Sequence, residues 1–376
     1  MYLNTHSFYS LRYGTIAPET LLQQAQQLGI HTLVLTDINS TSASLEFVRL
    51  STKYKVKPVL GVDFRNGVQQ QFVMLAKNNE GFYRINTYLS EFLHREKFII
   101  PEKAKQLKDT FVIYPFQSDL RTLEENEFIG VKPSDLNQLK FSAWQTHLNK
   151  LVILKTVSFG DKKGFNAHRL LRAIDNNTLL SKLPASEQGD HVDVMFPEVL
   201  LKEIFKTYPQ LIENTQKLLD TCHIAFDFSG QVPKNQKTYT KSEELDFKLL
   251  RKLAYKGLHY RYKKIGERVF ERLEKELTII KEKQFVSYFL INWKILKYAR
   301  SKGYFYIGRG SGANSVIAYL LRITDVDPVE LDLYFERFIN LYRKNPPDFD
   351  IDFSWKDRDD ITEFIFRSFK NTALIA

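Results

Sequence analysis

Cysteine is nearly absent from this sequence, and long apolar runs are absent altogether. Cys222 is the one cysteine among 376 residues, which excludes an internal disulfide framework and fits a reducing compartment. No apolar run approaches membrane-spanning length, and the opening MYLNTHSFYS lacks the basic-then-apolar pattern of a signal peptide. Internal repeats and low-complexity tracts are also missing. We therefore expect a cytoplasmic globular protein, and this length predicts two or three domains.

Positive charge is concentrated in the second part of the chain. The net charge is +10, with 28 Lys and Arg against 20 Asp and Glu from Ser229 onward, and 26 against 24 before it. Between Lys248 and Arg309 the count is 17 basic to 5 acidic residues. Such a concentration favours a polyanion partner, because neutralised phosphates give sequence-independent affinity. A solvated helical face would produce the same count, so both interpretations stay open at this point.

The first part of the chain alternates short apolar runs with helical patterns. Strands are predicted at 32–36, 57–62, 71–76, 110–114 and 151–154, and helices at 18–28, 42–55, 165–174 and 197–223. This rhythm predicts an α/β domain with a mainly parallel sheet. The polar segment 227–241 (DFSGQVPKNQKTYTK) is predicted to be a linker. Domains are therefore expected at 1–228 and 229–376, the second opening with helices at 242–262, 266–283 and 285–300.

The segment 348–353 (DFDIDF) alternates acid and apolar residues, which is the period of a β-strand. Asp348, Asp350 and Asp352 then share one face, while the apolar residues between them are available to a core. The preceding Pro346 and Pro347 suit a strand entrance, because proline donates no ladder hydrogen bond. Carboxylates crowded on one face are tolerable if a divalent cation lies between them, and such hard oxygen ligands suit Mg²⁺. An edge strand with its acids turned to water is the alternative.

A glycine-rich turn, 308–312 (GRGSG), lies between a predicted strand at 304–307 and a predicted helix at 313–323. Glycines let a backbone approach phosphate, amide groups at a helix start point outward, and Arg309 supplies a bidentate donor. The turn is neither a Walker loop, since it lacks Gly-Lys-Ser/Thr, nor a Rossmann fingerprint. The pattern indicates an anion site, although many such turns are only tight turns.

Two arginines, Arg337 and Arg343, precede the acid-rich segment. In one interpretation they are salt-bridge partners of Glu336, Asp332 or the aspartates. In the other, Arg337 acts directly on a triphosphate, whose negative charge requires neutralisation.

Three short motifs near the N-terminus resemble the metal-binding motifs of polymerase-and-histidinol-phosphatase (PHP) domains. They are 3–7 (LNTHS), 36–39 (TDIN) and 61–63 (GVD), and the resemblance covers most of the first 225 residues. In active members, His and Asp ligands at strand ends hold a cluster of metal ions. Other residues stand where the resemblance implies ligands, namely Asn4, Tyr13, Ile38 and Ser158. Only His6, Asp37 and Asp63 survive as potential ligands, so no metal cluster is expected in the first domain.

The later motifs, taken together, resemble those of bacterial DNA polymerase III alpha subunits, the C-family replicative polymerases. Their order and spacing match over essentially the whole chain, at 288–291 (YFLI), 308–311 (GRGS), 323–328 (ITDVDP), 335–338 (FERF) and 347–353 (PDFDIDF). The resemblance implies an α/β fold in which a distorted β/α barrel precedes a partial polymerase-beta-like nucleotidyltransferase palm. It places two catalytic aspartates on Asp348 and Asp350, which would bind two Mg²⁺ ions. Asp352 is a third acid on that face, without an implied role.

The same resemblance implies a reaction and its participants. DNA-directed DNA polymerases form a phosphodiester from a deoxynucleoside triphosphate by two-metal catalysis. Four residues would hold that triphosphate, namely Arg309, Gly310, Ser311 and Arg337. Primer–template DNA is the implied second substrate, a proofreading exonuclease and other replisome subunits are implied partners, and no membrane is involved. Since the family's third catalytic aspartate follows an inserted thumb, this chain is expected to be an N-terminal fragment that is inactive by itself.

Two other functions stay open on the sequence. The protein could be a non-catalytic replisome module whose barrel docks a proofreading exonuclease. A phosphoesterase centred on the barrel is disfavoured by the replaced ligand positions.

Overall fold

The computed structural model describes residues 1–94, 99–229, 237–340, 342 and 348–369. The chain divides into two compact units, Met1–Gly230 and Gln231–Ala376. The division falls inside the polar segment 227–241, which was predicted to be a linker. Each unit has its own hydrophobic core and is described by itself.

The described residues of the first unit form eight strands. A six-stranded sheet in the order β2-β3-β4-β5-β6-β7 curls into a half-barrel, and β1 pairs with β8. The β1–β8 pair lies beside β2. An isolated β-bridge joins Tyr2 to Leu33, and Thr36 N donates a hydrogen bond to Thr5 O at 2.9 Å. The strands are β1 Asn4–Thr5, β2 Thr32–Leu35, β3 Lys57–Asn66, β4 Gln69–Ala76, β5 Thr110–Pro115, β6 Glu127–Val131, β7 Leu151–Ile153 and β8 Thr156–Val157. The predicted α/β barrel-like fold is confirmed.

The sheet is less parallel than the βα rhythm predicted. β4 runs antiparallel to both β3 and β5, while the remaining strand pairs of the unit are parallel. The reason is a hairpin after Asn66, where Gly67 adopts a φ of 58°. Asn66 pairs with Gln69, so the loop has two residues, and glycine at its first position tolerates the positive φ that such a turn requires. The chain therefore returns beside β3 without a crossover helix.

Where the structure describes the first unit, it contains seven α-helices. They are α1 Pro18–Gln27, α2 Ser44–Tyr54, α3 Asn79–Leu93, α4 Leu136–Leu139, α5 Lys162–Asp175, α6 Glu198–Ile204 and α7 Pro209–Thr221. The single helical stretch predicted at 197–223 is two helices. Pro209, which lacks an amide hydrogen, occupies the first position of α7, where that donor has no partner inside the helix.

Both faces of the sheet are buried, which explains why its strands are almost continuously apolar. Leu33 and Leu35 belong to one core cluster and Val34 to another, as the two-residue period of a strand requires. Cys222 lies in the second cluster, where burial raises the pKa of its thiol to about 12. Such a thiol is unreactive at neutral pH, so the cysteine serves packing.

In its described ranges, 237–340, 342 and 348–369, the second unit contains five α-helices and one pair of antiparallel strands. Its elements are α8 Glu243–Arg261, α9 Glu267–Glu282, α10 Val286–Ser301, β9 Tyr306–Arg309, α11 Val316–Leu320, β10 Asp350–Phe353 and α12 Arg358–Ser368. The helix predicted at 313–323 is shorter than expected, because Gly310–Asn314 forms a 3₁₀ turn before α11. No helix in the described part of the chain is long and apolar enough to cross a membrane.

A buried carboxylate, Glu276, fixes the start of α11. Its oxygens accept hydrogen bonds from Ser315 Oγ at 2.7 Å, Val316 N at 3.0 Å, Ile317 N at 3.2 Å and Arg272 Nε at 2.7 Å. Free amides at a helix start favour negative charge, and Arg272 balances that charge in the core. Glu276 therefore fixes the position of the first residues of α11, just after the glycine-rich turn.

Candidate active site

The acid strand and the glycine-rich turn are hydrogen-bonded neighbours. In the β9–β10 ladder, Asp350 lies opposite Arg309 and Asp352 lies opposite Ile307. The strand begins at Asp350, so Asp348 lies just before it rather than within it. The three acids are exposed and the apolar residues between them are half-buried, as the alternation predicted. Pro346 and Pro347 lie outside the described residues.

Two glycines permit a close approach between the turn and its surroundings. A Cβ on Gly308 would lie 1.9 Å from the carbonyl oxygen of Ile323, which leaves no room for a side chain. Gly310 has a φ of 76°, and a Cβ there would lie 2.6 Å from Asp350 Oδ2. The backbone at residue 310 therefore lies directly against the Asp350 carboxylate.

Tyr288 holds the backbone between the two predicted catalytic acids. Its hydroxyl accepts a hydrogen bond from Phe349 N at 2.8 Å, and its ring stacks on the Phe349 ring with centroids 5.2 Å apart. Phe289 and Phe338 pack against Phe349 from other sides. The aromatic stripe of α10 was interpreted as core, which Phe289 confirms. The role of the Tyr288 hydroxyl was missed, because only tertiary structure brings the two segments together.

Arg309 pairs with the acid strand. Its Nε donates to Asp352 Oδ2 at 2.7 Å, and another guanidinium nitrogen lies 3.9 Å from Asp350 Oδ2. The hydrogen bond to Asp352, together with the two negative charges, raises the pKa of Arg309. Ser311 is half-buried in the turn that follows.

Arg337 lies on a 3₁₀ turn, Phe335–Arg337, beside the glycine-rich turn. Its side chain is exposed and has no ion pair with the residues that the structure describes. Glu336 and Asp332, the candidate partners in the salt-bridge interpretation, pair instead with Lys275 and Arg268. Arg343 lies outside the described residues. The binding of a triphosphate by these cations stays a prediction.

The acid face has the donor chemistry of a divalent-cation site. Asp348 has no hydrogen bond or ion pair within the described ranges, and about half of the Asp350 side chain is exposed. Both offer hard carboxylate oxygens, which suit Mg²⁺. In the part of the chain that the structure describes, no group of three or more His, Cys, Asp or Glu side chains could hold a metal ion. The assignment of Asp348 and Asp350 as metal ligands therefore stays a prediction.

The second candidate site lies in the first unit, where the guanidinium of Arg65 pairs with the buried carboxylate of Asp63. Asp63 is fully buried, and its Oδ2 accepts hydrogen bonds from Arg65 at 2.7 and 2.9 Å, from Gln70 at 2.9 Å and from His6 at 3.0 Å. Burial alone would raise the pKa of Asp63, but the positive charge of Arg65 and the hydrogen bond from His6 hold it well below its usual range. Arg65 also lies 4.9 Å from the ring centroid of Tyr13.

The other surviving ligand positions are also engaged. His6 Nδ1 lies 2.9 Å from Ser158 Oγ, and its Nε2 lies 3.1 Å from Asn4 Oδ1. Asp37 accepts hydrogen bonds from the backbone and hydroxyl of Ser7, at 2.6 and 2.8 Å, and from Ser10 Oγ at 2.7 Å. The sequence reasoning missed Arg65, whose position two residues after Asp63 puts both side chains on one strand face.

Two family models match the chain, one in each unit. The family model for the PHP domain matches residues 3–127, and the model described as "Bacterial DNA polymerase III alpha NTPase domain" matches residues 248–376. Relatives over most of the chain are DNA polymerase III alpha subunits and related polymerases, which confirms the family that the motifs predicted.

Three relatives illustrate the extent of the similarity. The chain is 30% identical over 362 residues to DNA polymerase III subunit alpha of Streptococcus pyogenes serotype M1, covering 93% of this chain and 33% of the relative. It is 26% identical over 420 residues to the error-prone DNA polymerase of Symbiobacterium thermophilum, covering 98% and 38%. DNA polymerase III subunit alpha of Halalkalibacterium halodurans is 26% identical over 407 residues, covering 98% and 36%. The chain therefore spans about a third of the length of these relatives.

Replacing Arg65 with alanine should destabilise the first unit by about 3–5 kcal/mol, because the buried Asp63 carboxylate would lose its counter-charge. Hydrogen exchange of the β3 amides measures this loss. The matched control is Arg12→Ala, which removes an exposed ion pair with Asp175 and should cost about 1 kcal/mol or less. Equal exchange protection in both variants would show that Arg65 does not balance this site.

Proposed function

We propose that this chain is the N-terminal part of a DNA-directed DNA polymerase alpha subunit, with a PHP-like barrel at 1–228 and the first segment of the palm at 229–376. The observation that carries the proposal is the β9–β10 register, which pairs Arg309 with Asp350 and brings Gly310 against the same carboxylate. A nucleotidyltransferase needs carboxylates and phosphate-binding groups on adjacent segments. Because the relatives are about three times as long, we assign the proposed activity to a protein of their length. The proposed location is the cytoplasm.

The residues of the second unit divide the work of phosphoryl transfer. Asp348 and Asp350 would hold Mg²⁺, and two such ions about 4 Å apart stabilise the attacking and leaving oxygens of an in-line displacement. The backbone of Gly310 and Ser311 can approach the phosphates of a deoxynucleoside triphosphate closely. Arg309 and Arg337 would neutralise its charge and hold it in line with a primer end.

Substituting Asp348 or Asp350 with asparagine should lower primer extension by at least about 10²-fold in a protein of the relatives' length. Each change removes a metal ligand's charge but keeps its shape, so the fold should persist. Asp359→Asn is the control, since Asp359 is exposed on α12 and pairs with the neighbouring Arg358. Primer extension at different Mg²⁺ concentrations, with circular dichroism for folding, measures the effect. Near-normal extension by either variant would remove that aspartate from the catalytic pair.

The structure separates the basic residues of the second unit into two groups. Several arginines are engaged in ion pairs with acids, namely Arg251, Arg261, Arg268, Arg272 and Arg309. By contrast, Lys248, Lys252 and Lys256 recur at every fourth residue of α8, are exposed, and form no ion pair with described residues. Lysines spaced in this way share one helix face. This lysine stripe supports the interpretation of the charge excess as a phosphate-binding surface, and we assign it to the backbone of primer–template DNA.

Replacing all three stripe lysines with glutamine should weaken DNA binding by about tenfold or more at low salt and lower the slope of log affinity against log salt by about 2–3. Fluorescence anisotropy of labelled primer–template DNA at increasing KCl measures both quantities. The matched control replaces Lys140, Lys162 and Lys163, which are exposed in the first unit. An unchanged salt slope in the stripe variant, or an equal loss in the control, would contradict the assignment.

A second candidate function is supported by an apolar surface on the first unit. Leu170 and Ile174 are more than half exposed on one face of α5, and Leu179 follows with 65% of its surface exposed. Arg12 pairs with Asp175 at the end of that helix, which brings the exposed Leu11 nearby. Exposed apolar side chains grouped in this way are typical of protein contacts. We assign this surface to a proofreading exonuclease, which is compatible with a polymerase role for the second unit.

The double substitution Leu170→Glu/Ile174→Glu should weaken binding of a 3′–5′ exonuclease from the same source by at least about tenfold, because two charges would be buried in an apolar contact. Isothermal titration calorimetry with the full chain measures the affinity. Leu120→Glu is the control, since Leu120 is half exposed and belongs to a different segment. Unchanged affinity in the double variant would reject this surface as the docking site.

A further inference from the structure

Asp352 is the acid of β10 for which neither the motifs nor the proposed reaction supplies a role. In the structure it is the hydrogen-bond partner of Arg309, whose Nε lies 2.7 Å from Asp352 Oδ2. The strand register places Arg309 opposite Asp350, yet the guanidinium leans toward Asp352 and stays 3.9 Å from Asp350. One cation is thus shared unequally between two acids of the same face.

We propose that Asp352 is a positioning residue that holds Arg309 as a resident counter-cation beside Asp350, and that Arg309 competes there with the divalent cation. The inference rests on the proposed function, because it concerns the same acid face. It assigns Asp352 a role other than metal ligation. It also gives Arg309 two alternative partners, the acid strand before substrate binds and the triphosphate afterwards.

The competition follows from charge and distance. Arg309 lies 3.9 Å from Asp350 Oδ2, so a divalent cation bound to Asp350 would stand near a second positive charge and would be repelled by it even with partial solvent screening. The side chains of Arg309, Asp350 and Asp352 are 61%, 49% and 57% exposed, so their ion pairs are weak and exchangeable. The cation can therefore displace the guanidinium, which is then available to the negatively charged triphosphate.

Terbium binding to the full chain tests the competition without any catalytic step. Tb³⁺ occupies oxygen sites, and aromatic residues such as Trp355, which follows β10 in the chain, can sensitise its luminescence. The site-specific signal is defined as the part that Mg²⁺ displaces and that Asp350→Asn removes. Arg309→Gln should strengthen Tb³⁺ binding about threefold, because a competing positive charge is lost. Arg358→Gln, which removes an exposed arginine of α12, should leave the affinity unchanged.

A double-mutant cycle separates positioning from direct ligation. If Asp352 acts through Arg309, Asp352→Asn should weaken Tb³⁺ binding about threefold in the original chain, since the freed guanidinium can move onto Asp350, but less than twofold in the Arg309→Gln background. A loss of about tenfold in both backgrounds would make Asp352 a metal ligand and overturn the inference. An Arg309→Gln variant that binds Tb³⁺ no more tightly would overturn it as well.

The outcomes distinguish this inference from the proposed function. If Asp348→Asn and Asp350→Asn leave terbium binding unchanged, or no Mg²⁺-displaceable signal exists, the metal site itself fails and both proposals fall. If those variants lose binding while Arg309→Gln has no effect, only the competition fails. Nuclear magnetic resonance supplies a second readout, because a held Arg309 should give a protected Nε–H signal that Asp352→Asn abolishes.

Discussion

The second unit depends on the antiparallel pairing of two short strands that lie 40 residues apart in the chain. β9 carries the glycine-rich turn at its end, and β10 carries the acids at its beginning. The ladder fixes which residues face each other, so the glycine-rich turn and the acid strand form one surface. Two strands alone are marginally stable, and the pair therefore relies on the core beneath it. Phe349, Ile351 and Phe353 supply that anchorage, since they pack against the core of α-helices.

The two units treat negative charge in opposite ways. In the barrel, Asp63 is buried and neutralised by Arg65, and His6 and Gln70 also donate hydrogen bonds to its Oδ2. Such a permanent internal cation makes the site a structural element of the core. On β10 the acids are exposed, and Arg309 is held beside them by solvent-screened contacts. An exposed and exchangeable arrangement can accept ligands, whereas a buried and neutralised one cannot do so without unfolding locally.

Fixed positions in the second unit come from contacts between distant segments. Glu276 on α9 determines where α11 starts, and Tyr288 on α10 holds the backbone at Phe349. Neither residue has a direct role in the proposed reaction. Both place the residues that do, because each hydrogen bond fixes a backbone amide at one end of the glycine-rich turn or of the acid strand.

The sequence alone predicted the features that depend on local chemistry. Alternation at 348–353 predicted the strand and its exposed acid face, and apolar spacing predicted α8, α9 and α10 to within two residues at each end. The division of the 197–223 stretch at Pro209 and the hairpin at Asn66-Gly67 had signals in the sequence that were not used. Both features follow from local chemistry, a proline at a helix start and a glycine in a two-residue turn.

Tertiary structure decided which of these elements meet and which charges neutralise each other. Arg65 and Asp63 are close in sequence, but only the packed barrel excludes water from them and makes their pairing strong. The guanidinium of Arg309 could have turned to solvent, to Asp350 or to Asp352. Strand pairing brings both acids within its reach, and in the folded chain it binds Asp352 although Asp350 is its register partner. A sequence specifies the residues that can interact. The distances between them arise only when the chain folds, because hydrogen-bond ladders and core packing join segments that local patterns treat as independent.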